Sequence, residues 1–228
     1  MVRSFFMTGF LALCAFYSGA SHAAAPTGIF GAVEFKADSL NALPHWQNVL
    51  QKIAQEKPTF QACLTGKEKC LTQGMRAWHD VMQQAKGGTF SDKLKLVNRY
   101  VNSWPLRRDA EAWNQPDYWA SPEEFIAKSG DSEDFAIFKY ASLQWLGIKP
   151  ENMRIVVVRD MLRNNTHTVL AVYRNDDILI LDSLMDAVLS HENVLQYVPQ
   201  FSVSNEARWA HVLPRQDLPE MNNKNKTP

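Results

Sequence analysis

SGDSEDFAIFKYASLQWL, residues 129–146, organises the reading of everything before and after it. Gly130 loosens the backbone, Asp131 or Ser132 suits the cap of a helix, and Glu133 and Asp134 place negative charge in its first turn, where the dipole favours it. From Phe135 the apolar residues Phe135, Ala136, Ile137, Phe138, Tyr140, Ala141, Leu143, Trp145 and Leu146 surround the predicted helix on nearly all sides. A helix apolar all round lies inside a domain. Gly147 supplies its stop. Two readings of the polar terminus stand at this point: Ser and Asp are the commonest caps, and a hydroxyl with three carboxylates at the positive end of a buried helix is also where nucleophiles and ion sites are built.

The 228 residues suffice for one sizeable core, or one core with a small helical lobe. Basic and acidic side chains balance at 24 each, and no basic stripe is interleaved with aromatics, which argues against a nucleic-acid partner. Arg3, the apolar run from Phe5 to Tyr17 and the small-residue ending Ser21-His22-Ala23 read as a secretory signal, residues 1–23, cut after Ala23. The apolar run is short for a bilayer core of about 30 Å, and Leu13 is too bulky to precede a lipid-modified Cys14. Cleavage leaves Cys63 and Cys70, which in an exported chain most simply form a disulfide that stabilises by about 2.5 kcal/mol. A metal pair is the weaker alternative, because no His or further Cys lies at zinc spacing. The segment FQACLTGKEKCL reads as a loop, with no capped helix start to activate either thiol.

Residues 25–39 read as irregular. Trp46, Val49, Leu50 and Ile53 mark one face of a first helix with Pro44 in its first turn and Pro58 as its end. Met75, Trp78 and Met82 mark a second, running to Gly87-Gly88, in which His79 is a surface or packed side chain. A third carries Leu94, Val97, Val101 and Trp104 inward from a cap at Ser91 or Asp92 to Pro105. Ser121, Pro122 and Glu124 form the cap, first residue and capping-box partner of a short helix. Trp113, Tyr118 and Trp119 before it fit either a core or a groove wall. Beyond Gly147 the period becomes alternating: Met153 to Arg159, Thr166 to Arg174 and Ile178 to Leu184 are strands, the last two joined by a turn at Asn175-Asp176-Asp177. His167 near the start of one arm and Asp182 near the end of the next are then cross-strand neighbours. Arg208 to Leu213 adds a further strand, and the chain from Asn222 is a polar tail.

A nucleophile-type side chain opening a buried helix, then a His on a strand, then an Asp on the paired strand, is the chain order of the papain-like and transglutaminase-like layout. The segment GDSEDFAIFKYASLQWLGI resembles the GDCEDYA-type helix of the bacterial transglutaminase-like cysteine proteinases. DYWASPEEF, HTVLAVY and LILDSL resemble the flanking and strand motifs of the same family, and the likeness spans roughly Trp46 to Leu213. It implies an α+β fold, papain-like/transglutaminase-like, with N-terminal helices and a central buried helix packed on an antiparallel sheet in one domain, residues 24–228. By the match Ser132, His167 and Asp182 are the catalytic positions, and Asp131, Glu133 and Asp134 are the metal positions, for Ca2+; carboxylates that merely cap the helix are the alternative. The resemblance further implies a periplasmic peptidase that processes a large surface adhesin under the control of an inner-membrane cyclic di-GMP receptor.

Where the family carries its nucleophilic Cys, this chain has Ser132. A helix end and an imidazolium bring a thiol into a pKa range of roughly 3.5–7.5, a gain that a hydroxyl hardly shares. Three readings stay open: an adapted nucleophile, a pseudoenzyme that binds the adhesin or the receptor without cutting, or an inactivated variant.

Overall fold

A computed structural model describes residues 28–214. The signal segment, Cys14 and the polar tail lie outside the described residues, among which no helix is long and apolar enough to cross a membrane. The first helix, α1 (Pro44–Thr65), begins at Pro44 as expected but runs through Pro58 rather than ending there. Pro58 removes one backbone hydrogen bond. Burial of Phe60 and Cys63 one turn further on, both fully inaccessible, keeps the helix going. The segment read as a loop is therefore half helix: Cys63 sits in the last turn of α1 and bonds Cys70 across a short 3-10 turn.

Helix α2 (Gln73–Lys86) turns Met75, Trp78 and Met82 inward. Helix α3 (Phe90–Asn102) is capped two or three residues earlier than expected, by Thr89, because Thr89 and Asp92 exchange hydrogen bonds in a capping box. Trp104 lies beyond its end, half-buried against Phe125. A single turn, α4 (Asp109–Ala112), precedes α5 (Pro122–Lys128), which has the Ser121–Glu124 capping box read from the sequence. The central helix α6 (Ser132–Trp145) has ten buried residues and closes on Gly147, whose φ of +87° lets the amides of Gly147 and Ile148 reach back to Gln144 and Leu143.

Seven strands form one antiparallel sheet: β1 (Val33–Ala37), β2 (Met153–Asp160), β3 (Asn165–Arg174), β4 (Asp177–Asp182), β5 (Met185–Ser190), β6 (Tyr197–Val203) and β7 (Arg208–Val212), in the order β1-β7-β6-β2-β3-β4-β5. The segment read as irregular thus contributes an edge strand, β1, held by five paired residues of β7. Alternation divides the strands between two cores. Ile155, Leu170, Val172, Leu181 and Val203 pack on α6 and the other helices, whereas Val156, Val158, Val169, Ala171 and Ile180 meet Ile29, Val194 and Tyr197 on the opposite face.

Candidate active site and acidic cluster

The turn that delivers α6 is locked before the helix begins. Ser129 holds a φ of +62°, a strained value for a residue with a side chain, costing of order 1–3 kcal/mol. Its hydroxyl donates to the carbonyl of Pro105, and the Gly130 carbonyl accepts from the Arg107 amide at 2.7 Å. A Cβ at Gly130 would collide with the Asp134 carboxylate. That carboxylate is fully buried, accepting from the amides of Ala120 at 2.6 Å and Asp131 at 3.3 Å. It therefore ties the helix cap to the segment before α5.

Ser132, the first residue of α6, reaches the sheet from the side. The β3–β4 ladder ends at Leu170 paired with Leu181, which frees the Thr168 amide, and that amide donates to the Ser132 Oγ at 3.2 Å. The Ser132 hydroxyl in turn donates to Glu133 Oε2 at 3.1 Å, and no hydrogen bond joins it to His167, the neighbour of Thr168.

His167 and Asp182 meet as the hairpin predicts. His167 Nε2 and Asp182 Oδ1 are 2.7 Å apart, although the register places Asp182 two residues from direct opposition, so the contact is diagonal. Asp182 is fully buried, and burial pushes its carboxyl up; hydrogen bonding and charge from His167, the Tyr197 hydroxyl at 2.5 Å and the Leu184 amide at 2.9 Å outweigh this and hold it below the usual carboxylate range. With Nε2 committed to Asp182, Nδ1 is the ring nitrogen left for a reacting proton.

The predicted metal positions do not form one group by themselves. Asp131 and Asp134 come together with Asp109, and Glu133 comes together with Asp109 and Asp117, each set having oxygens within 4.8 Å of one another. Burial, then the neighbouring carboxylates, drives Asp131 up to about 10; burial likewise takes Asp134 to about 8 and raises Asp109. One oxygen each of Asp109 and Asp131 is buried without a hydrogen-bond partner. Five carboxylates, two of them with such an orphaned oxygen, suit a hard, oxygen-seeking cation. Asp109 was missed in the sequence because it lies 22 residues before Asp131, outside any local pattern.

A cleft of about 380 Å³ opens over this end of α6, lined by Ser132, Glu133, Trp119, Thr166, Thr168 and Phe201, among others. Trp119 serves both readings, as a wall here and edge-on against buried Trp46 at 6.3 Å. Trp113 and Tyr118 stack on each other at 4.5 Å, with Lys128 over Trp113. Of the predicted triad Ser132 alone lines this cleft, and a larger groove of about 680 Å³ along Phe30, Leu162, Leu195 and Tyr197 is lined by none of the three.

The family described as bacterial transglutaminase-like cysteine proteinase, BTLCP, matches residues 55–217. The calcium-bound structure of Legionella pneumophila LapG is similar with a TM-score of 0.57 and 30% identity, covering 71% of this chain and 87% of that one. The structure of the same protein after EGTA treatment gives a TM-score of 0.55 and 29% identity over 71% and 84%. A comparison with curated protein sequences gives no match. A buried helix presenting residue 132 to the strand that bears His167, in a chain matched over most of its length, fixes the kinship: this protein belongs to the bacterial transglutaminase-like cysteine proteinase family.

Proposed function

We propose that this chain is an exported peptidase that cuts a large surface adhesin in the periplasm, with Ser132 as nucleophile, His167 as base and Asp182 as orienting acid, under the control of an inner-membrane cyclic di-GMP receptor. The observation that carries the catalytic part is the buried His167–Asp182 pair, one residue from the amide that holds the Ser132 hydroxyl. For attack, the hydroxyl turns from Glu133 toward the ring and gives its proton to Nδ1, while its oxygen bonds the scissile carbonyl carbon. Asp182 keeps the ring in the tautomer with hydrogen on Nε2 and stabilises the imidazolium. Collapse breaks the C–N bond, Nδ1 returns the proton to the leaving amine, and water then hydrolyses the ester by the same relay.

The carboxylates of Asp109, Asp131 and Asp134, with Glu133 and Asp117 as further ligands, would hold Ca2+. When bound, the ion supplies positive charge that fixes the acidic turn. The LapG structures, one calcium-bound and one EGTA-treated, support that choice of ion. Calcium at 100 times its Kd should stabilise the chain by about 2.7 kcal/mol. That raises Tm by about 5–10 °C. Asp109→Asn should remove most of the rise in a thermal scan with and without EGTA.

The hydrogen bond from Ser132 to Glu133 favours a second reading, a binding module that retains the cleft without useful turnover. Losing the proper nucleophile from a cooperative triad costs up to about 10⁶ in turnover. The parent and Ser132→Cys are to be assayed on the N-terminal region of a candidate adhesin. Cleavage by both establishes Ser132 as an adapted nucleophile, cleavage by Ser132→Cys alone establishes the binding module, and inertness of both overturns the peptidase reading.

A further inference from the structure

Tyr197 is absent from every motif that carries the family likeness, yet it touches both members of the His167–Asp182 pair. It stands on β6, two strands from His167 and three from Asp182, and its phenol crosses the sheet face away from α6. The hydroxyl donates to Asp182 Oδ2 at 2.5 Å, the oxygen that His167 and the Leu184 amide leave free, so the two carboxylate oxygens have one side-chain partner each, from different strands. The phenol ring lies 5.6 Å from the imidazole at 41°, and Phe30 packs edge-on behind it at 5.9 Å. The side chain is buried, and burial together with the bond to Asp182 pushes its own ionisation far above the ordinary range, so it remains a neutral donor.

We propose that Tyr197 is the positioning residue of this site, fixing the Asp182 carboxylate in the rotamer that meets His167 and limiting how strongly that carboxylate attracts the imidazolium proton. This rests on the reading of His167 as base and Asp182 as its orienting acid. A carboxylate that accepts a strong second hydrogen bond has less negative charge to offer the first. Other charges lie around the site: Lys139 from α6 and Arg163 from the turn that follows β2 act on Asp182, Asp160 from β2 acts on Tyr197, and Asp186 from β5 acts on Lys139. Of the side chains around Asp182, Tyr197 and His167 hydrogen-bond its carboxylate.

Removing the hydroxyl should let Asp182 hold the imidazolium more tightly, which raises the midpoint of the His167 ring titration. The purified chain is labelled with ¹⁵N-histidine, and the His167 midpoint is followed by NMR in the parent, in Tyr197→Phe, and in a chain carrying 3-fluorotyrosine at 197. Tyr197→Phe should move the midpoint up by about half a pH unit or more. The fluorinated residue, a stronger donor of the same shape, should move it down. In the Ser132→Cys background, Tyr197→Phe should lower kcat about tenfold with KM within twofold, and shift the acidic limb of the pH profile upward with the NMR midpoint. A folded Tyr197→Phe chain with an unmoved midpoint, or a loss of activity with an unchanged pH profile, overturns the proposal and leaves Tyr197 a packing residue. Should Tyr197→Phe fail to fold, the fluorinated chain decides: a downward shift supports the proposal, and none overturns it. The titration needs no substrate, so it judges Tyr197 even if neither chain proves to be a peptidase.

Discussion

Deprotonation is the difficulty that the proposed mechanism meets at residue 132, because the α6 terminus that lowers a thiol's pKa does little for a hydroxyl, and in that mechanism the burden falls on His167 and Asp182. Asp182→Asn in the Ser132→Cys chain should therefore reduce kcat by about 10⁴, through the wrong imidazole tautomer. Its effect on stability has a sign fixed by the depressed carboxyl: the contribution is fully present above the unfolded value near pH 4 and is lost as pH falls through the lower folded value. The Tm gap between the parent and Asp182→Asn should accordingly narrow between pH 5 and pH 3, and a gap that stays constant would show that the carboxylate is not held by its charge. The places of Ser132, His167 and Asp182 were legible because each has a local signature: a helix start, the first residues of a strand, the last of its hairpin partner. Asp109 and Tyr197 have none, since one approaches from a single-turn helix and the other from a strand far along the chain.

Among the elements, α1, α2, α3, α5 and α6 and the strands β2, β3, β4 and β7 were legible in the sequence, most plainly where a large core sets the apolar pattern, as in α2, α6 and the strongly β-branched β2, β3 and β4. Strands β5 and β6 escaped because β5 is only partly buried and β6 is interrupted by Pro199 and Gln200, while β1 owes its conformation to pairing with β7. Lys139 breaks the pattern of α6. It is fully buried with no hydrogen-bond partner, and burial brings its amine down to about 7, against the attraction of Asp182 and Asp186. Below pH 7 it is charged in both folded and unfolded chains and the desolvation penalty is complete; between about 7 and 10.5 only the unfolded chain holds the proton, so stability rises with pH. Lys139→Met should raise stability at pH 6 by a few kcal/mol and flatten the rise between pH 7 and 10. Urea unfolding at the two pH values checks this, and a less stable variant at pH 6 would mean that the cation is needed by Asp182 and Asp186.

At the scale of the whole molecule, the sheet carries His167 and Asp182 and the helical side carries Ser132, so the proposed relay requires the two layers to stay in register. The helical side is tied to itself by the Cys63–Cys70 bridge, which joins the end of α1 to the segment leading into α2, with both residues buried. By the chain-entropy account the bridge removes freedom from the unfolded chain, worth about 2.5 kcal/mol for so short a loop. Replacing both residues, Cys63→Ala with Cys70→Ala, should lower Tm by about 5–10 °C. None of the groups around Ser132, His167 or Asp182 touches the bridge, so the same pair of substitutions in the Ser132→Cys chain should leave kcat within twofold at a temperature where both chains are folded. A loss of turnover without a loss of stability would instead show that the end of α1 communicates with the cleft, through α5, which α1 grips by the ion pair of Lys52 with Glu124 at 2.7 Å.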